Sequence, residues 1–250
     1  MKIAISGKGG VGKTTIMALL ARELNKRGKK VLLIDADPSP HMAETIGIKD
    51  PGRITPIADM MRLLAERAEK TPGSPFYQLN PQVNDLIKDY MIEQDGLKLM
   101  VLGAIQKADS GCACPESHVL RKMLKKMLLT AEDVVLLDME AGVEHLGRGT
   151  VAGVDHLLIV VIPSKSSIRT AMKIKRLAEE VGIKNISFIG NLIEGEEDKK
   201  FLIEGLGEKP AVFFPDSQAV RSAERTETPV IRIEDQLNNA PAELVAALLG

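Results

Sequence analysis

Gly7-Lys8-Gly9-Gly10-Val11-Gly12-Lys13-Thr14 is the stretch on which the reading of this chain turns. It satisfies the pattern G-x-x-x-x-G-K-[ST], follows the strand-like run Lys2–Ser6, and leads into a helical stripe of Ile16, Leu19, Leu20 and Leu24. Glycines at this spacing let the backbone curl so that its N–H groups point at phosphate oxygens, and the following helix adds the positive end of its dipole. In such a loop Lys13 reaches the β- and γ-phosphates, and the Thr14 hydroxyl ligates Mg²⁺. Gly7, Lys8, Gly9, Gly10, Val11, Gly12, Lys13, Thr14 and, just behind them, Thr15 are therefore the expected nucleotide-binding residues, with Lys13 also catalytic.

Outward from the loop, short and nearly continuous apolar runs recur: Lys2–Ser6, Val31–Asp35, Leu97–Leu102, Asp133–Asp138, His156–Ile162, Ile186–Gly190 and Ala211–Phe214. Strands buried on both faces read this way, whereas half-exposed strands alternate polar and apolar. Between them lie helical stretches. The Ile16–Leu24 stripe stops at Gly28 after Arg27, and Ile168, Ala171, Ile174, Leu177 and Ala178 form another stripe between Pro163 and Gly182. The expected fold is a single α/β domain over residues 1–250, a P-loop NTPase with a mostly parallel sheet of about seven strands and helices on both faces. Ligands in such sheets bind beyond the carboxyl ends of the strands. The polar stretch from about residue 72 to 96 reads as an insertion of helix and loop.

Composition narrows the partners. Of 250 residues, 33 are Lys or Arg and 34 Asp or Glu, so the net charge of −1 gives no electrostatic reason to expect nucleic acid or an anionic membrane. With aromatics at 3%, base-stacking platforms are hard to build, and the core must be aliphatic. Met1 and Lys2 lead straight into a strand rather than a secretory signal. The most hydrophobic run, Leu157–Ile162, is far shorter than the roughly 20 residues a membrane span needs. A cytoplasmic protein is the expectation.

Lys8 adds a second, early lysine to the loop. With it, the chain resembles the deviant P-loop family of the ParA and MinD ATPases, the arsenite-pump and tail-anchor ATPases, and the nitrogenase iron protein. That resemblance implies a homodimer in which Lys8 reaches toward the partner's nucleotide. It also assigns the acidic strand ends. Val31-Leu32-Leu33-Ile34-Asp35-Ala36-Asp37-Pro38 resembles the first switch, with Asp37 activating the attacking water and Asp35 nearby as Mg²⁺ support. Val134-Val135-Leu136-Leu137-Asp138 is Walker-B-like, its aspartate holding Mg²⁺ through water, and Gly142 is the second-switch glycine at the γ-phosphate. Asn191, after the strand Ile186–Gly190, corresponds to the asparagine that hydrogen-bonds adenine, and Phe214-Pro215-Asp216 to the loop that closes over the ring. A guanine reader normally shows an Asn-Lys-x-Asp run. Asn191-Leu192-Ile193-Glu194 is not one, so ATP/ADP is favoured over GTP.

Cys112 and Cys114, the chain's two cysteines, lie in Gly111-Cys112-Ala113-Cys114-Pro115. Two residues apart they make a strained disulfide. A tetrahedral thiolate site wants four donors, and a two-fold dimer supplies the missing pair by symmetry. Two cytosolic cysteines can equally be inert. Together with Gly7–Thr15, this pair, the segment Asp138-Met139-Glu140-Ala141-Gly142-Val143-Glu144-His145-Leu146-Gly147-Arg148-Gly149-Thr150, and Pro163-Ser164-Lys165-Ser166-Ser167 resemble the CooC family, accessory ATPases that help insert nickel into carbon monoxide dehydrogenase. The resemblance implies an ATP-dependent homodimer with Ni²⁺ or Zn²⁺ on the paired cysteines of a metal-binding loop at 111–115, and carbon monoxide dehydrogenase as client.

His41, His118, His145 and His156 show no mutual metal spacing. Three other readings share the cradle: an ATPase that positions DNA or membranes, an iron–sulfur carrier or reductase using the same four thiolates, and a small-molecule kinase. The first needs a basic surface or a basic amphipathic tail, and Asn239–Leu249 contains no Lys or Arg.

Overall fold

The computed structural model describes residues 1–37, 40–57, 59, 91–103, 134–139, 154–233 and 237–249. Pro38, most of the 72–96 insertion, the 111–115 loop with Cys112 and Cys114, Gly142 and the rest of 140–150, His118 and His145 lie outside the described residues.

All seven expected strands form. They are β1 (Lys2–Gly7), β2 (Val31–Asp35), β4 (Leu97–Val101), β5 (Val134–Asp138), β6 (His156–Val161), β7 (Ile186–Ile193) and β8 (Val212–Pro215). An eighth, β3 (Ile92–Gln94), pairs antiparallel with β4 at one edge, where the sequence reading had helix and loop. Asp95 and Gly96 join the two with φ of 53° and 79°, the left-handed pair that a tight hairpin requires. The sheet order is β3-β4-β2-β5-β1-β6-β7-β8, and every other pairing is parallel.

Burial on both sides explains the continuous apolar runs. Ile3, Ile5, Leu33, Leu136, Leu158 and Val160 face one core, and Ala4, Ile34, Leu137, Leu157, Ile159 and Val161 the other. On the first face lies α1 (Lys13–Lys26), which buries the expected Ile16, Leu19, Leu20 and Leu24 together with Met17, and ends before Gly28 at φ 75°. On the second lie α3 (Lys165–Glu180), whose first turn is capped by the Ser164 hydroxyl accepting from the Ser167 amide, and α4 (Glu196–Leu206). Each fully buried Leu or Ile contributes about 1.5–3 kcal/mol of transfer free energy, so this two-sided layer carries most of the fold's stability. Short α2 (Met42–Thr45) follows β2, α5 (Gln218–Arg225) follows β8, and α6 (Ala240–Leu249) buries Leu244, Val245 and Leu248 beside α1 and β8. Among the described residues no helix is long and apolar enough to cross a membrane.

Candidate functional site: a nucleotide cleft at the strand ends

Parallel register brings the chemistry to one edge. Ile5 pairs with Asp138, and Asp138 in turn with Asp35, so two carboxylates lie side by side where β1 opens into the loop. Gly7, at φ 154°, runs so close to β6 that a Cβ would stand 2.6 Å from the Val160 carbonyl oxygen. Gly12, at φ 87° ahead of α1, faces the Asn191 amide where a Cβ would sit. Neither position can accept a side chain without moving a strand or a base-site residue. Lys13 is buried at the head of α1.

The Thr14 hydroxyl donates to Asp138 Oδ2 at 2.7 Å. Asp138 is 1% exposed, and its other oxygen, Oδ1, has no hydrogen-bond partner among the described residues. Burial pushes this carboxyl up to about 7; Asp35 and Asp37 push the same way, while the Thr14 hydrogen bond and Lys13 oppose it. A buried, orphaned carboxylate oxygen beside a hydroxyl is a set of hard oxygen donors, which fits Mg²⁺. Asp35, also raised chiefly by burial, spends its carboxylate differently: Oδ1 accepts from the Asp37 amide at 3.1 Å and Oδ2 from the Met42 amide at 3.0 Å. These two contacts shape the loop that carries Asp37. Asp37 lines the phosphate side of the cleft, a cavity of about 1030 Å³ that also takes in Gly9, Gly10, Lys13 and Thr14.

A second cavity of about 200 Å³ opens on the other side of the loop, lined among others by Asn191, Leu192, Phe214, Pro215 and Asp216. Asn191, Pro215 and Asp216 thus line one cavity. Asn191 lies inside β7 rather than after it. The strand continues through a register shift to Ile193, with Leu192 at φ 55°, and the Asn191 amide donates to the Val11 carbonyl at 2.8 Å. Among the described residues Asp216 Oδ1 is buried without a partner, while Oδ2 meets the Arg221 guanidinium.

Lys8 packs within its own chain, its ammonium donating to the Ser166 hydroxyl at 2.9 Å at the start of α3. Ser166 belongs to the quoted Pro163–Ser167 run, but nothing in that run announced this contact. Leu192 and Glu224, which also line the base cavity, carry no motif. Both emerge only from the fold. Among the described residues no group of three or more His, Cys, Asp or Glu is placed to hold a metal ion, and the cysteine pair lies outside them.

Comparison with known proteins agrees with this geometry. The CobQ/CobB/MinD/ParA nucleotide-binding domain family matches residues 2–230. The carbon monoxide dehydrogenase accessory protein CooC of Rhodospirillum rubrum is 38% identical over 254 positions, covering 100% of this chain and 96% of that protein. An uncharacterized ATP-binding protein of Methanocaldococcus jannaschii is 40% identical over 228 residues, 89% of this chain and 88% of that one. Among solved structures, a chain of the MinC:MinD cell division complex of Aquifex aeolicus superposes with a TM-score of 0.73 at 25% identity, covering 100% of this chain and 95% of its own. The chain belongs to the CobQ/CobB/MinD/ParA family of nucleotide-binding domains, as a P-loop ATPase of the CooC kind.

Proposed function

We propose that this ATPase is a maturation factor that assists nickel insertion into carbon monoxide dehydrogenase, cycling between nucleotide-controlled states of a homodimer in the cytoplasm. The observation that carries the reading is full-length likeness to CooC, joined to a cleft lined by Gly9, Gly10, Gly12, Lys13, Thr14 and Asp37. ATP binds with its phosphates on the 7–14 loop and its base between Asn191 and Pro215. Thr14 and, through water, Asp138 would hold Mg²⁺, which would supply positive charge to the β- and γ-phosphate oxygens. Asp37 orients and deprotonates the water that attacks the γ-phosphorus, and ADP leaves with the Lys13 ammonium against its phosphates. Gly142 senses the γ-phosphate through its amide. Lys8 leaves Ser166 to meet the partner's nucleotide, and this ties dimer closure to ATP.

Cargo Ni²⁺, or Zn²⁺ in its stead, sits on Cys112 and Cys114 from both subunits. Soft thiolates suit these ions better than Mg²⁺. Because two chains close one site, metal and dimerisation favour each other by the same coupling free energy. Elemental analysis and gel filtration of one preparation, nucleotide-free, with ADP and with ATP, test the reading. One metal per two chains is expected, abolished in Cys112→Ser and Cys114→Ser with the fold intact. One tight metal per chain in the double variant overturns the site. A dehydrogenase that acquires nickel equally well with and without this protein overturns the client.

A further inference from the structure

Gln94, the last residue of β3, lines neither cavity of the cleft, yet its side chain is spent on backbone that does. Its amide donates to the Gly47 carbonyl, and its oxygen accepts from the Lys49 amide at 3.2 Å. An amide side chain that gives and takes at once stands in for an adjoining strand. Gly47, Ile48 and Lys49, the backbone it holds, line the larger cavity together with Asp37.

That backbone is the rear of a unit whose front is fixed at Asp35. Asp35 takes the Asp37 amide on one oxygen and the Met42 amide on the other. From Met42 the chain runs through α2 to a close at Gly47. There the Gly47 amide donates to the Glu44 carbonyl at 3.0 Å and the Ile48 amide to the Ala43 carbonyl at 2.9 Å. This pair of bonds ends a helix through one left-handed residue, which Gly47 supplies at φ 76°. Met42, Ala43, Ile46 and Ile48 root the unit in the core. A Cβ on Gly47 would stand 2.6 Å from Pro229, so the cap is wedged as well as bonded. A single helical turn has little stability of its own, so its placement follows from packing and from what grips its ends. The two grips stand far apart on the sheet edge: Gln94 pairs with Leu97 at the start of β4, and Asp35 with Val101 at its end. We infer that Gln94 is a positioning residue for hydrolysis: from outside the cleft it fixes the rear of the 37–49 segment and so keeps Asp37 where the attacking water needs it, without adding to nucleotide affinity.

This assignment rests on the water-activating role proposed for Asp37, and the experiment separates the two. The single-turnover rate of the full chain at saturating ATP reads the chemical step, and calorimetry with ADP reads binding, in wild type and in Gln94→Met, which keeps the length and loses both hydrogen bonds. The rate is expected to fall about fivefold, the scale of two modest hydrogen bonds acting through placement, while ADP affinity stays within about twofold. Asn25→Ala is the control: it removes the bond from the Asn25 amide to the Asp95 carbonyl, which ties the same hairpin to α1, and is expected to leave the rate unchanged. A wild-type rate in folded Gln94→Met overturns the inference. So does a loss of ADP affinity as large as the loss of rate, or an equal fall in rate in Asn25→Ala, since either marks general loosening. Should Gln94→Met not fold, Gln94→Glu, which keeps the acceptor for Lys49 but cannot donate to Gly47 when ionised, carries the same expectation and the same grounds for rejection. Asp37→Asn turning over at the wild-type rate overturns the role of Asp37, and a slowed Gln94→Met beside it leaves the clamp standing.

Discussion

The two ends of the cleft are built on different physics. At the phosphate end, adjacent strands in register press Asp35 and Asp138 together beside a buried Lys13, and the geometry is set by backbone: glycines, a helix start and a sheet edge. At the base end, a pocket of about 200 Å³ is lined by residues of β7, β8, α5 and α1, and Asp216 Oδ1 has no hydrogen-bond partner among the described residues. Charge held out of water interacts strongly, whereas a ring that fits by shape gains modestly from each contact. Substitutions at the first end should therefore cost orders of magnitude, and those at the second only small factors.

Lys13→Ala is the severest test of that difference. Removing the cation that meets the β- and γ-phosphates is expected to lower ATP hydrolysis by at least about a hundredfold and to weaken nucleotide binding, as loss of a preorganised electrostatic group does elsewhere. A phosphate-release assay on the variant, with circular dichroism confirming the fold, decides it. Hydrolysis at the wild-type rate would remove the loop from catalysis altogether.

Crowded carboxylates also leave a mark on stability. Asp138 titrates near 7 in the folded chain against an ordinary 3.8, so between those values the folded form keeps a proton that the unfolded chain gives up. Stability of the nucleotide-free, Mg²⁺-free protein is then greatest at the acid side of that window and falls as pH rises toward about 7, by an amount on the order of a few kcal/mol. Asp35, raised by the same burial, pulls in the same direction. Asp138→Asn, which keeps an oxygen to accept from Thr14, is expected to flatten most of the slope in thermal melts run from about pH 5 to about pH 8 in EDTA. A variant whose melts track wild type across that range breaks the claim that this end of the cleft is governed by buried charge.

The same division explains what the sequence disclosed. The phosphate loop and seven of the strands were legible because each is written in consecutive residues, as a glycine pattern or a doubly buried apolar run. Strand β3 is three residues long with an exposed centre, and its cue was the Asp95-Gly96 turn rather than any periodicity. Asn191 was expected beyond its strand, because nothing in Gly190-Asn191-Leu192 announces the register shift that carries β7 onward with Leu192 in a left-handed conformation. The loop-shaping bonds of Asp35 were not legible, since a carboxylate at a strand end reads the same whether or not it accepts from two backbone amides. Glu224 meets Thr15 only because α5 returns to the loop, a closeness that no local pattern encodes.

The smallest expected effect sharpens the comparison from the base end. Asp216 pairs one oxygen with Arg221 near the surface and keeps the other buried and unpaired in the pocket. An acceptor there suits the exocyclic amine of adenine, which inosine replaces with an oxygen that can only accept. Wild type is accordingly expected to bind ADP more tightly than IDP, and Asp216→Ala to lose most of that preference while its ADP affinity falls by roughly fivefold, the scale of one hydrogen bond to a charged group at a partly open site. Stability should change little, within about 0.5 kcal/mol, because the variant gives up an exposed ion pair and at the same time relieves a buried oxygen that had no partner. Calorimetric titration of both nucleotides into both proteins measures the preference directly. If Asp216→Ala keeps the wild-type ratio of ADP to IDP, the ring is held by the apolar walls of Leu192, Phe214 and Pro215 and by Asn191, and the base end selects by shape without reading the amine.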